Sequence, residues 1–167
     1  MEIKKNLREP IEKLSSLIGT WKGRGLAAFP TITQTEYFEE TRFEFVESDL
    51  AIFYEQRTWY VKDDKKGAPL HWESGYIICK EEGDYVLSNA QNNGRTEVLH
   101  GAASMFSGDT FHLALESIAF ANDERMIRTT RDIYVDDDAL KYYVNMATKM
   151  TPEFQHHLEA TLIKSKD

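Results

Sequence analysis

Short runs of apolar and aromatic residues, broken by turn-forming clusters roughly every 8–14 positions, set the organisation of this chain. Period-two alternation is clearest in Leu140-Lys141-Tyr142-Tyr143-Val144-Asn145-Met146, where Leu140, Tyr142, Val144 and Met146 share one face. An opening turn carrying Ile11, Leu14, Leu17 and Ile18 precedes a strand through Trp21. Further strands are predicted over Glu36–Val46, Leu50–Tyr60, Leu70–Lys80, Tyr85–Ala90, Arg95–Ala103, Thr110–Ser117, Arg125–Val135, Leu140–Thr148 and His157–Lys164. The breaks carry turn chemistry: Asp63-Asp64-Lys65-Lys66-Gly67, Glu82-Gly83-Asp84, Asn92-Asn93-Gly94, Ser107-Gly108-Asp109 and Asp136-Asp137-Asp138. About ten strands in series read as an all-β meander, not as alternating βα units. Thr151-Pro152-Glu153 predicts an N-cap followed by one helical turn, so short helical turns are expected near both ends.

Several strands alternate poorly. Phe53, Tyr54, Trp59 and Tyr60 put aromatics on both faces, and His71-Trp72-Glu73-Ser74-Gly75-Tyr76 mixes polar and aromatic groups. A dry sandwich core would be cleaner, whereas a barrel lining a ligand cavity has a mixed inner face. Gly19-Thr20-Trp21-Lys22-Gly23-Arg24-Gly25 suits the first strand of such a barrel, with Trp21 plugging the closed end and glycines allowing close crossing.

A length of 167 residues fits one domain, residues 1–167 with a core over about 14–164. The net charge of −8, from 20 basic and 28 acidic residues, argues against nucleic acid or an anionic membrane as the main partner. The lone Cys79 forbids an internal disulfide and points to a reducing, cytoplasmic setting; Met1-Glu2-Ile3-Lys4-Lys5-Asn6 lacks the apolar run of a signal peptide.

Conventional catalytic motifs are missing. There is no HExxH, CxxC, CxxCH or GxSxG, and no phosphate-binding glycine loop. Glu39-Glu40 and Glu81-Glu82 read as solvated edge charges. Of five histidines, His71 reads as a core residue bonded to Glu73 or to backbone. His156 and His157 fall at the entrance of the last strand, where position alone suits a capping or edge role. Strict alternation puts His156 with Leu158, Ala160 and Leu162, and His157 with Glu159 and Thr161.

The segments taken together resemble the nitrobindin family of haem-binding, ten-stranded antiparallel up-and-down barrels, themselves similar to lipocalins and fatty-acid-binding proteins. The resemblance rests on Gly19–Gly25, Phe29-Pro30-Thr31-Ile32, Tyr37–Glu40, Tyr54–Trp59, Pro69–Tyr76, Ala90–Val98, Met146-Ala147-Thr148 and His157–Leu162, in order and compatibly spaced. It implies one non-covalent haem b per chain with His157 as the iron ligand, while the alternation that puts His156 on the apolar side keeps His156 as the rival ligand. It also implies Thr31 near a propionate, His71 and Gln91 facing the cavity, and Met146 as an adaptable wall. The implied activity is nitric oxide binding and isomerisation of peroxynitrite to nitrate; a homodimer is compatible with it. The alternative is a non-catalytic carrier of a fatty acid or other apolar molecule. A weaker third reading is an interaction module whose barrel is filled by its own side chains.

Overall fold

A computed structural model describes residues 8–46, 51–81 and 83–167, with Arg8 described by its backbone alone. Leu50, Glu82 and the first residues, on which parts of the sequence reading fall, lie outside the described set. A short helix α1 (Arg8–Glu12) and a 3-10 turn over Ser15–Leu17 lead into ten strands. These are β1 (Gly19–Phe29), β2 (Ile32–Phe45), β3 (Ala51–Lys62), β4 (Lys65–Glu81) and β5 (Asp84–Gln91), then β6 (Thr96–Met105), β7 (Phe111–Ala121), β8 (Met126–Asp136), β9 (Ala139–Thr148) and β10 (Gln155–Lys164). Each strand pairs antiparallel with its neighbours in sequence, and β1 pairs with β10 to close the barrel. Closure leaves no unpaired sheet edge. Among the described residues no helix is long and apolar enough to cross a membrane.

The turns form where the sequence supplies residues tolerant of left-handed backbone. Asp63 and Asp64, both at positive φ, make the two-residue connection between β3 and β4; Gly83, Gly94 and Gly108 serve the same need elsewhere. At Gly25 a side chain is excluded for another reason: a Cβ there would overlap the Tyr37 ring, whose hydroxyl bonds Tyr142 across the barrel.

The N-terminal elements close one end. Ile11, Leu14 and Leu17 are fully buried against Trp21, and the indole Nε1–H donates to the Leu17 carbonyl at 2.7 Å. The Tyr85 hydroxyl ties β5 to the same cap through the Pro10 carbonyl at 2.7 Å. Leu87, Leu99, Leu113, Val135, Leu140 and Leu162 complete this apolar end. The opposite end opens into a cavity.

One expected element does not form. Residues 149–154 are bends, not a helical turn. The Thr151 N–H turns back to the carbonyl and hydroxyl of Thr148, while the Thr148 N–H donates to the Thr151 carbonyl. The Thr151 carbonyl, which would accept the first hydrogen bond of the helix, is thereby taken by Thr148.

Candidate functional site

The open end holds a cavity of about 580 Å³, within the range of pockets that take a cofactor-sized molecule. That volume removes the filled-barrel reading. All five residues expected at a site, Thr31, His71, Gln91, Met146 and His157, line it. His156 does not: it is exposed, beside Glu159 and the Tyr143 ring.

The placement of His157 depends on a register shift. Opposite β9, His156 pairs with Asn145 and Leu158 pairs with Val144, so His157 is the extra residue of a β-bulge. The bulge resets the alternation. His157 joins Leu158 and Leu162 on the cavity wall, while His156 stays outside. The His157 Nδ1–H donates to the Ala28 carbonyl at 3.3 Å, and the ring stands edge-on to Phe29 at 5.3 Å between centroids. Nε2 is left without a hydrogen-bond partner among the described residues. Burial, the largest influence, pushes the imidazole pKa below its ordinary value. A neutral ring with a free Nε2 lone pair is the form that ligates a metal.

His71 is held on the other side of the barrel. Strands β4 and β10 lie four steps apart one way round the barrel and six the other. The β3–β4 ladder is irregular between Arg57 and Trp59, beside Pro69, which has no N–H. The Thr58 hydroxyl fills the gap, accepting from the His71 N–H at 2.9 Å and donating to its carbonyl at 3.0 Å. The His71 ring Nε2 lies 2.8 Å from Glu73 Oε2. His71 thus bonds Glu73 and lines the cavity, but with 30% of its side chain exposed it is a half-buried wall residue and not a core one.

Below the mouth runs a polar girdle that the sequence reading missed. Glu73 is buried, bonded by the Tyr54 hydroxyl at 2.7 Å and by Arg131 at 2.5 Å. Burial alone would raise its pKa, but the Arg131 charge and the His71 bond override that and hold the carboxyl well below the usual carboxylate range. Arg131 also pairs with Glu97 at 2.8 Å, and Glu97 in turn accepts from the Thr129 hydroxyl and, at 3.4 Å, from Gln91. Arg131 Nε is the only buried side-chain polar atom among the described residues that has no partner.

Glu39 requires a correction. It is not a solvated edge charge but a buried cavity residue, only 2% exposed, bonded to Thr41, Gln56 and Tyr142. Its neighbour Glu40 is the surface member of the pair, 3.3 Å from Lys66. Among the described residues no cation pairs with Glu39, and burial pushes its carboxyl above the ordinary value despite three hydrogen bonds that favour the anion. The signal was present in the parity of β2: Glu39 shares its face with Tyr37, Thr41 and Phe43, which are all buried.

Chemically, the site offers the unpartnered Nε2 of His157, an apolar wall of Val144, Met146, Leu158 and Phe29, and a polar base. Among the described residues no cluster of three or more His, Cys, Asp or Glu is arranged around a bare metal ion.

The family described as "THAP4-like, heme-binding beta-barrel domain" matches residues 10–164. The chain belongs to this family, the nitrobindins. Among nitrobindin relatives, the Arabidopsis thaliana protein named "Peroxynitrite isomerase Rv2717c" is 35% identical over 154 residues, covering 92% of this chain and 88% of its own length. The Mycobacterium tuberculosis protein named "Peroxynitrite isomerase 1" is 34% identical over 168 residues, covering 97% and 99%. The crystal structure of Rv2717c from M. tuberculosis superposes with a TM-score of 0.85 at 32% identity, covering 94% of this chain and 98% of that one. A phycobiliprotein lyase from Guillardia theta, 12% identical with a TM-score of 0.61, shares the fold alone.

Proposed function

We propose that this nitrobindin barrel binds one haem b non-covalently through His157 Nε2, binds nitric oxide at the open coordination face, and isomerises peroxynitrite to nitrate. The observation that carries the reading is the bulge at His157, which turns a neutral imidazole with a free Nε2 into the cavity. The residues present fit the group. Val144, Met146, Leu158 and Phe29 offer a wall for the macrocycle, and Met146 adapts readily to a flat face. Thr31, in the exposed turn between β1 and β2, places a hydroxyl at the rim for a propionate. Gln91, held by Arg95 at 3.0 Å, looks in from β5. When bound, ferric haem would supply Lewis acidity at its open face.

The hydrogen bond from His157 Nδ1–H to Ala28 fixes the ring orientation and raises the donor strength of Nε2. With haem bound there, the cavity wall would limit the escape of a small ligand held at the open face. The relatives' names and the family description support this activity. A fatty-acid carrier is less well served by the same cavity, because the arginines lining it are already paired, Arg131 with Glu73 and Glu97, and Arg95 and Arg125 with Asp123.

Haemin titration of the purified chain tests the proposal. One-to-one Soret saturation that disappears in His157→Ala, followed by faster peroxynitrite decay in the loaded protein, is expected. Saturation unaffected by His157→Ala removes the ligand assignment, and unchanged decay removes the activity.

A further inference from the structure

The two cavity histidines come from opposite walls and are held in opposite ways. His157 is tethered through Nδ1 to a backbone carbonyl, which leaves Nε2 free. His71 is tethered through Nε2 to a carboxylate, and no partner engages its Nδ1 among the described residues. That carboxylate is itself fixed: Tyr54 donates to Glu73 Oε1, Arg131 reaches both oxygens, and His71 bonds Oε2. We propose that His71 is the proton acceptor for a weak oxyacid bound opposite His157, with Glu73 as the residue that positions it. This rests on the haem-dependent reading above.

An ionised carboxylate only accepts hydrogen bonds, so the Nε2–H of His71 donates to Glu73 and Nδ1 carries the lone pair. An imidazole oriented by a buried carboxylate is built to take a proton on its other nitrogen, because the carboxylate stabilises the imidazolium that forms. Peroxynitrous acid is a weak acid, and nitrate is the anion of a strong one. Isomerisation starting from the acid therefore releases one proton. In the proposed step the ligand O–H bond breaks, its electron pair stays on oxygen, and the Nδ1–H bond forms. Side-chain exposure of 30% lets His71 then return the proton to water.

The groups facing this pair are Tyr54 from β3, Glu39 from β2, Glu97 from β6, Arg131 from β8, His157 from β10, and Arg95 from the turn before β6. Arg131 with Glu73 and Glu97 makes the His71 wall the charged side of the girdle.

Two measurements on the full chain test the assignment. Nitrogen-15 NMR of the haem-free protein reads the tautomers directly, with Nε2–H expected for His71 and loss of that preference in Glu73→Gln. An Nδ1–H tautomer for His71 in the wild-type protein overturns the proposal. Peroxynitrite decay, expressed per bound haem across pH, is expected to fall roughly 100-fold in His71→Gln, with loss of the limb due to the acceptor. An unchanged rate and pH profile in His71→Gln overturns it. Thermal melts identify any loss of folding in Glu73→Gln, in which case wild-type tautomers and His71→Gln decide. Failure of the wild-type chain to bind haemin sinks the underlying reading as well. An Nδ1–H tautomer with haemin binding intact sinks the proton role alone.

Discussion

His157 and Leu158 are consecutive residues of one strand, and both line the same cavity. In a regular strand they would face opposite sides. The bulge against β9 supplies the extra residue that makes this possible, and it leaves His156 outside the barrel. The expected outcome is a sharp difference between adjacent substitutions. His157→Ala should weaken haemin binding roughly 100-fold, about 2.8 kcal/mol, whereas His156→Ala should leave it within about twofold. Soret titrations of both variants check this, and equal losses would contradict the geometry.

Glu39 and Glu73 should contribute to stability with opposite pH dependence. Glu73 is held below the pKa of about 4.3 expected for an unfolded glutamate, so its contribution is complete above that value and is lost as pH falls through the folded one. Glu39 is raised, so its contribution is complete below the unfolded value and is lost as pH rises through the folded one. Between those two values the Glu39 loss approaches about 1.4 kcal/mol per pH unit. Glu39→Gln should flatten the decline in denaturant-derived stability toward neutral pH. An identical decline in wild type and variant would show that Glu39 ionises as freely when folded as when unfolded.

The strands were legible because turn residues announce the ends and nothing competes with them. Asp63-Asp64 marks a hairpin by its tolerance of positive φ, and the structure uses both residues that way. The Thr151-Pro152-Glu153 cap misled because a capping sequence and a tight turn use the same residue types. At the site, the five residues assigned by the family resemblance all line the cavity, but alternation alone would have chosen His156. A bulge leaves no mark in side-chain pattern, since it is a property of register between two strands. The buried charges were hidden differently. Glu39 looks like a surface residue, and the partners that hold Glu73 and Glu97 stay hidden, until Arg131, Thr129, Tyr54 and Tyr142, distant in sequence, are brought to them.

Arg131 holds two buried carboxylates, so removing it alone should be costly. Arg131→Leu leaves Glu73 and Glu97 without their shared cation, a defect worth about 3–5 kcal/mol. The triple variant Arg131→Leu, Glu73→Gln, Glu97→Gln should recover much of that stability because no unpaired charge remains. Urea denaturation of the single and triple variants checks the order. A single variant as stable as wild type would mean that the two carboxylates take up protons without penalty.

Trp21 and the cavity should be separable. The indole is fully buried in the cap with Ile11, Leu14 and Leu17, donates to the Leu17 carbonyl, and is not among the residues lining the cavity. Trp21→Ala removes the largest side chain of the closed end and one buried hydrogen bond, which predicts a loss of about 4 kcal/mol. Trp21→Phe keeps most of the volume and should cost less, because it sacrifices the hydrogen bond and only part of the packing. Since haem would bind at the other end, Trp21→Phe should keep haemin affinity within about twofold at temperatures where it remains folded. Thermal melts and haemin titration on the same sample give both quantities. A large affinity change with small loss of stability would show that the plug and the cavity wall move together, and that the apolar end does not act as a rigid base for the site.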